Sequence, residues 1–168
     1  SISSYNWQFG DGSSSSDSLP THFYGSAGTY PVTLIATSNF GCIDTFVDST
    51  TVHPVPQAKF GAKDVCFGDT VDFKDSSSVA SGSLSTWQWD FADGDTAMSR
   101  NPAHYYTASG NYQVQEIVKS DSGCFDTTAN TVNVADEPEA AFSFKNECRY
   151  DSVRFSDTSD VAWDTIEA

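Results

Sequence analysis

The chain has 168 residues, room for one large domain or two small ones; with 38% hydrophobic and 14% aromatic residues against 18% charged, it can bury a core and is not a disordered acidic tail. Eight Lys and Arg against 23 Asp and Glu leave a formal net charge of −15, which repels phosphate backbones and anionic lipid and so disfavours nucleic acid and membrane surfaces as partners. No run approaches the roughly 18 to 20 apolar residues of a membrane span, and Ser1 onward shows no signal-peptide pattern, so an export signal is expected outside these residues.

The apolar segments alternate with polar residues as half-buried strands do. The first clear one is Tyr30-Pro31-Val32-Thr33-Leu34-Ile35-Ala36, with Tyr30, Val32 and Leu34 on one face. Val71 and Phe73 alternate after the turn residues Gly68-Asp69. Tyr112, Val114 and Glu116 repeat the earlier register, the charge at Glu116 being tolerable if that end of the strand is exposed. Val132 and Val134 close a further run before Pro138. The expected class is all-β, built from short strands separated by turns.

An internal repeat organises the whole chain. Trp7 and Trp89, Gly12 and Gly94, Pro20 and Pro102, His22 and His104 each stand 82 residues apart. Gly28 and Gly110, Tyr30 and Tyr112, Cys42 and Cys124, Asp44 and Asp126, Phe60 and Phe142, Cys66 and Cys148, Phe73 and Phe155 keep the same offset without a slip. The chain therefore holds two periods and four residues, and starts and stops in mid-repeat. Proline marks a linker at His53-Pro54-Val55-Pro56 and another at Asp136-Glu137-Pro138. The expected domains are the C-terminal part of one repeat over 1–55, a complete repeat over 56–136, and the N-terminal part of the next over 137–168. Residues 1–55 then lack their first two strands, and 137–168 hold little beyond those two. A lone two-stranded fragment is not stable in water, so the chain reads as a slice of a longer tandem array or as a subunit that lends its terminal strands to another.

Trp89-Asp90-Phe91-Ala92-Asp93-Gly94 resembles the Trp-Asp-Phe-Gly-Asp-Gly signature of the polycystic-kidney-disease (PKD) domain, and Trp7-Gln8-Phe9-Gly10-Asp11-Gly12 is the other copy. Asn101, Pro102, His104 and Tyr106 resemble the Asn-Pro-x-His-x-Tyr that follows in the family, and Gly110-Asn111-Tyr112-Gln113-Val114 its Gly-x-Tyr-x-Val. Ala92 stands where the family has Gly, Gln8 where it has Asp, and Leu19 where it has Asn. The resemblance spans the chain and implies tandem immunoglobulin-like β-sandwiches of about seven strands per repeat.

These residues have a structural reading. Trp89 and Phe91 alternate inward from a central strand, and Asp93-Gly94 makes a turn in which Asp accepts backbone hydrogen bonds and Gly takes positive φ. The rival reading is calcium on Asp90, Asp93 and Asp95, whose spacing suits oxygen ligands although it lacks an EF-hand loop and its terminal bidentate Glu. No other cofactor is indicated. The three histidines are His22, His53 and His104, and two are repeat-equivalent, which suits framework packing beside Tyr24 and Tyr106 better than catalysis. HExxH, Gly-x-Ser-x-Gly and Walker motifs are absent from the sequence, and an enzyme active site is not expected in this segment.

Cys42, Cys66, Cys124 and Cys148 give two cysteines per period without C-x-x-C knuckles, a pattern of disulfides in an extracellular protein. In the topology that the resemblance implies, Cys66 and Cys124 lie at opposite poles of one sandwich, roughly 20 to 30 Å apart at ~3.3 Å per strand residue. Pairing between neighbouring repeats is the favoured scheme. Asp-Ser/Thr followed by a small aliphatic residue or Thr recurs at Ser18, Ser49, Thr70, Thr96, Thr127, Ser152 and Thr165, each preceded by Asp. This resembles the O-glycan acceptor motif of secreted Bacteroidetes proteins, and equally the start of many β-strands.

The resemblance is to cysteine-bearing PKD arrays of large Bacteroidetes surface adhesins exported by the type IX system. It implies a non-enzymatic extracellular filament or stalk whose partners are neighbouring repeats or identical chains, with surface glycans or host and substratum ligands at a tip. The alternatives are a carbohydrate- or protein-binding module acting through avidity and an accessory domain of a secreted hydrolase.

Overall fold

The computed structural model describes residues 1–146, 148, 149 and 151–161. Every regular element among them is a strand, and the chain divides into two compact units. The first consists of Ser1–Pro56 with Val79–Leu84 and Lys119–Phe125; the second consists of Gln57–Ser78, Ser85–Val118 and the described residues from Asp126 onward.

In the first unit β1 (Ile2–Gln8), β2 (Ser14–Ser15), β3 (Gly28–Ser38) and β4 (Ile43–Val52) make one antiparallel sheet in the order β2-β1-β3-β4. The predicted strand at Tyr30–Ala36 is the middle of β3, which pairs along its length with β4 from Gly28↔Val52 to Thr37↔Ile43. Trp7 sits opposite Leu34, so the aromatic signature is carried on the strand next to the most apolar one.

The second unit adds short strands β5 (Phe60–Gly61), β6 (Val65–Cys66), β7 (Thr70–Asp72) and β8 (Lys74–Asp75). Then come β9 (Leu84–Asp90), β10 (Thr96–Ala97), β11 (Ala103–Tyr105), β12 (Gly110–Ser120) and β13 (Phe125–Ala135). One sheet runs β10-β9-β12-β13-β6, its last pair parallel, while β11 pairs with β7 and β5 with β8. Between the layers lies a core of Phe60, Val71, Phe73, Trp89, Phe91, Tyr106, Val114, Val132 and Val134. The Trp89 ring meets Phe60 at 5.0 Å and Phe73 at 5.5 Å, and Phe73 meets Phe91 at 5.2 Å. Each such ring, once buried, contributes on the order of 1.5–3 kcal/mol.

Residues 137–161 repeat the start of that plan. β14 (Phe142–Phe144) and β15 (Phe155–Asp157) pair as Phe142↔Asp157 and Phe144↔Phe155, the register that β5 and β8 show 82 residues earlier in Phe60↔Asp75.

One expectation is corrected. Glu116 does not lie at an exposed strand end: it is 0% exposed, in the middle of β12 and facing inward between Val114 and Val118. The alternation that runs through Tyr112 and Val114 carries it to the core face. One of its carboxyl oxygens accepts a hydrogen bond there from the Ser77 hydroxyl.

Candidate functional site

The signature residues converge on one cluster per copy. In the second unit β9 ends at Asp90, whose Oδ1 accepts the Ala92 N–H at 2.9 Å and so starts the turn. Ala92 takes φ 65° and Gly94 φ 102° in that turn. Asp93 Oδ1 accepts the Asp95 N–H at 3.1 Å, and Asp93 Oδ2 lies 2.7 Å from His104 Nε2. The His104 ring stacks on Phe91 at 4.1 Å with a 4° interplanar angle and meets Tyr106 edge-on at 4.6 Å. Tyr106 stacks in turn on Tyr112 at 3.9 Å, and its hydroxyl donates to the Phe91 carbonyl. Trp89 Nε1 donates to the Ser99 carbonyl at 2.9 Å, satisfying the one polar atom of a fully buried ring.

The first copy repeats the ring and Asp–His contacts, while Gln8 stands in the place of the turn-starting Asp90. Asp11 Oδ2 lies 2.7 Å from His22 Nε2, His22 stacks on Phe9 at 4.2 Å, and Tyr24 stacks on Tyr30 at 4.2 Å. The Tyr24 hydroxyl donates to the Phe9 carbonyl, and Trp7 Nε1 to the Asp17 carbonyl.

The charges follow from these bonds. Asp11 is held well below the usual carboxylate range by hydrogen bonds from the Ser13 hydroxyl, from His22 and from the Ser13 N–H. For Asp93, burial pushes upward, but the bonds from His104 and the Asp95 N–H outweigh it and the net direction is down. Burial raises Tyr106, helped by the Asp93 charge. These are stable ionic and hydrogen-bonded states rather than groups poised to exchange protons near neutrality.

Of the three calcium candidates, Asp93 and Asp95 come together with His104, their ligand atoms within 4.8 Å of one another; Asp90 is engaged in its own turn. In the first copy Ser13 replaces Asp95, and its hydroxyl donates to Asp11 at 2.5 Å. The Asp–His pair is thus common to both copies, while the second carboxylate belongs to one.

The remaining predicted residues are dispersed. Cys42 and Cys124 lie in matching hairpin turns, their carbonyls accepting from the Ser38 and Ser120 N–H groups. Cys66 ends β6 opposite Ala135, and Cys148 is exposed; all four are free thiols in this chain. The Asp-Ser/Thr positions Ser18, Ser49, Thr70, Thr96, Thr127 and Ser152 are exposed, and Thr165 lies outside the described residues.

The cluster holds the signature residues of both copies, in matching contacts 82 residues apart. The family model of the PKD domain matches residues 1–55 and 51–135. The chain belongs to the PKD domain family. A PKD-bearing relative, the pre-pro-metalloprotease PrtV of Vibrio cholerae, is 31% identical over 129 residues, 75% of this chain and 14% of that protein. A collagenase of Bacillus cereus is 40% identical over 67 residues, 39% of this chain and 7% of that protein. The chain thus spans a small fraction of the curated relatives it matches. Among solved structures, the PKD1 domain of Vibrio anguillarum Epp has 30% identity and a TM-score of 0.47, covering 49% of this chain and 96% of that one.

Sequence reasoning missed a polar network in the core of the complete PKD repeat. Glu116 Oε2 accepts from the Ser77 hydroxyl at 3.5 Å, while Glu116 Oε1 has no hydrogen-bond partner. Asp75 takes the Ser77 N–H at 2.7 Å and Arg100 Nε at 2.9 Å. Burial, with the Asp75 charge beside it, pushes Glu116 up to about 8. Burial also pushes Asp75 upward, but the bonds from Ser77 and Arg100 outweigh it and hold the group down. Two acids in one buried site are driven apart, Asp75 toward the ionised form and Glu116 toward the protonated one. The signal available in the sequence was the break at Glu116 in an otherwise apolar face. Its partners come from β8, from the segment that follows it and from the loop before β11, which no local pattern links.

Proposed function

We propose that this tandem PKD segment is a non-catalytic accessory module of a larger extracellular protein, a secreted hydrolase being the parent that the relatives favour over a filament. The observation that carries this is the duplicated Asp–His–aromatic cluster. A nucleophile or general base needs a reactive group in a pocket, and here each His and Asp is locked into ring stacking and hydrogen bonds that hold a turn against a strand, in both copies. The homology to a metalloprotease and a collagenase supports the hydrolase context. The acidic, low-Lys surface keeps such a segment soluble and free of nonspecific polyanion binding.

In the parent protein, in-frame deletion of the PKD repeats is expected to lower turnover of an insoluble polymeric substrate and leave turnover of a small soluble one unchanged. Equal loss on both substrates, or no loss on either, would refute the reading.

The filament reading keeps one supporting observation. The 82-residue register runs unbroken into 137–161, so repeats follow one another with no insertion to interrupt an array.

A further inference from the structure

We propose that β5, β8 and the residues flanking them form a pH-governed cover in the complete repeat, which opens locally as the solution becomes less acid and lets the Glu116 carboxyl reach water, while the β9–β12–β13 sheet stays formed. This goes beyond the accessory-module reading and does not rest on it.

The cover lies directly on the acid. Ser77, just past β8, donates its hydroxyl to Glu116 Oε2 at 3.5 Å, and Glu116 Oε1 has no hydrogen-bond partner. Glu116 and the Asp75 side chain are both 0% exposed. The charged groups on the elements packed here are few. From β8 comes Asp75, whose charge bears on Glu116; from the loop before β11 comes Arg100, whose Nε is engaged by Asp75 Oδ2 at 2.9 Å and whose side chain is largely exposed. Asp126 of β13 accepts the Ala58 N–H at 2.8 Å, and Lys59 and Lys74 on the cover face solvent. An ionised Glu116 would thus sit beside a carboxylate and be held by one long hydroxyl bond, a costly state away from water. The first copy has Leu34 at this place in β3, so the strand itself does not require a carboxyl there.

The backbone of the cover is lightly held. β5 and β8 form a sheet of their own, paired only as Phe60↔Asp75 and Gly61↔Lys74 and extended by the Gln57↔Ser78 bridge. β12 and β13 run for 11 residues each inside a five-stranded sheet. A ladder of two residue pairs opens at lower cost than a long central strand, and what opening uncovers here is Phe60 and the turn of chain through Ser77. Once open, the Glu116 carboxyl returns to its ordinary 4.5, against about 8 when closed, burial being the first cause of the rise and the Asp75 charge the second. The closed form therefore holds a proton that the open form releases between these values. Opening is at its minimum below pH 4.5, grows about tenfold per pH unit above it and levels off near 8. Asp75 acts in a different window: its carboxyl is lowered in the closed form, so its support for closure is complete above the ordinary 3.8 and is lost only in stronger acid.

The test is amide hydrogen exchange of the 168-residue chain, read by mass spectrometry of its peptides from pH 5 to 7, with each rate divided by that of the unstructured peptide at the same pH. Peptides covering 57–62 and 73–78 should exchange faster than those covering 114–118 and 130–134 at every pH. Their opening should grow by about 100-fold over the two pH units. In Glu116→Leu and Glu116→Gln, with folding checked by circular dichroism, the cover should still exchange faster than β12 and β13, but with no dependence on pH. Every other titratable group is shared by the three proteins, so the difference in slope reads Glu116. The proposal is overturned if opening of the cover in the parent does not change with pH, or if its slope persists in both variants. It is equally overturned if the cover is as protected as β12 and β13 throughout, since the acid would then be released only by unfolding of the whole repeat.

Discussion

Replacing Glu116 with Gln tests whether the buried acid is protonated at neutral pH. The folded carboxyl is raised from 4.5 to about 8, first by burial and then by the Asp75 charge. Between these values the folded state holds a proton that the unfolded chain releases, so stability is complete below pH 4.5 and declines as pH rises toward 8. At about 1.36 kcal/mol per pH unit, the wild-type repeat loses on the order of 3 kcal/mol between pH 4.5 and 7 through this group. Gln keeps the shape and an N–H that can face Asp75 but does not titrate, so it removes this decline. Asp75, held ionised by Ser77 and Arg100, remains in both proteins. Thermal melts followed by circular dichroism should show Glu116→Gln gaining on the wild type as pH rises from 4.5 to 7, by roughly 6–12 °C at the 2–4 °C per kcal/mol of a chain this size. A difference that stays constant with pH would refute a protonated Glu116.

Other outcomes follow from the turn, the Asp–His pair and the strand lengths. Ala92 sits at φ 65°, so Ala92→Gly should raise stability in urea titration by about 1 kcal/mol, the approximate cost of a left-handed non-Gly residue. Gly10→Ala should lower it by more, because the added Cβ would meet the Pro31 carbonyl oxygen at 2.6 Å as well as the φ penalty. His104→Ala removes the stack on Phe91 and the bond that lowers Asp93; it should cost about 2–3 kcal/mol at neutral pH. The Asp93 contribution is present above the ordinary carboxylate pKa and fades as pH falls through the lowered one, so the penalty should shrink in acid-unfolding curves below pH 3.8. Non-reducing peptide mapping should return no Cys66–Cys124 link, since Cys66 pairs beside Ala135 at the far end of β13 from Cys124, roughly 36 Å away at ~3.3 Å per residue against a disulfide span of about 6 Å.

The sequence alone determined the class, the repeat and the framework. Period-two alternation marked β3, β12 and β13, and an 82-residue offset that never slips placed Trp7, His22 and Tyr30 in the same roles as Trp89, His104 and Tyr112. Those features were legible because strand faces and turn residues are local, and a repeat prints them twice. The tertiary structure decided what depends on distant segments meeting. Glu116 looked like a tolerable interruption of an apolar face; only the approach of Asp75 and Ser77 from other segments makes it a buried acid whose proton is held well above the usual carboxylate range. Likewise Phe60 and Phe142 occupy the same place in the repeat with the same local pattern, yet one is buried and the other bare. Burial belongs to the opposing sheet, and no strand carries its partner within its own sequence.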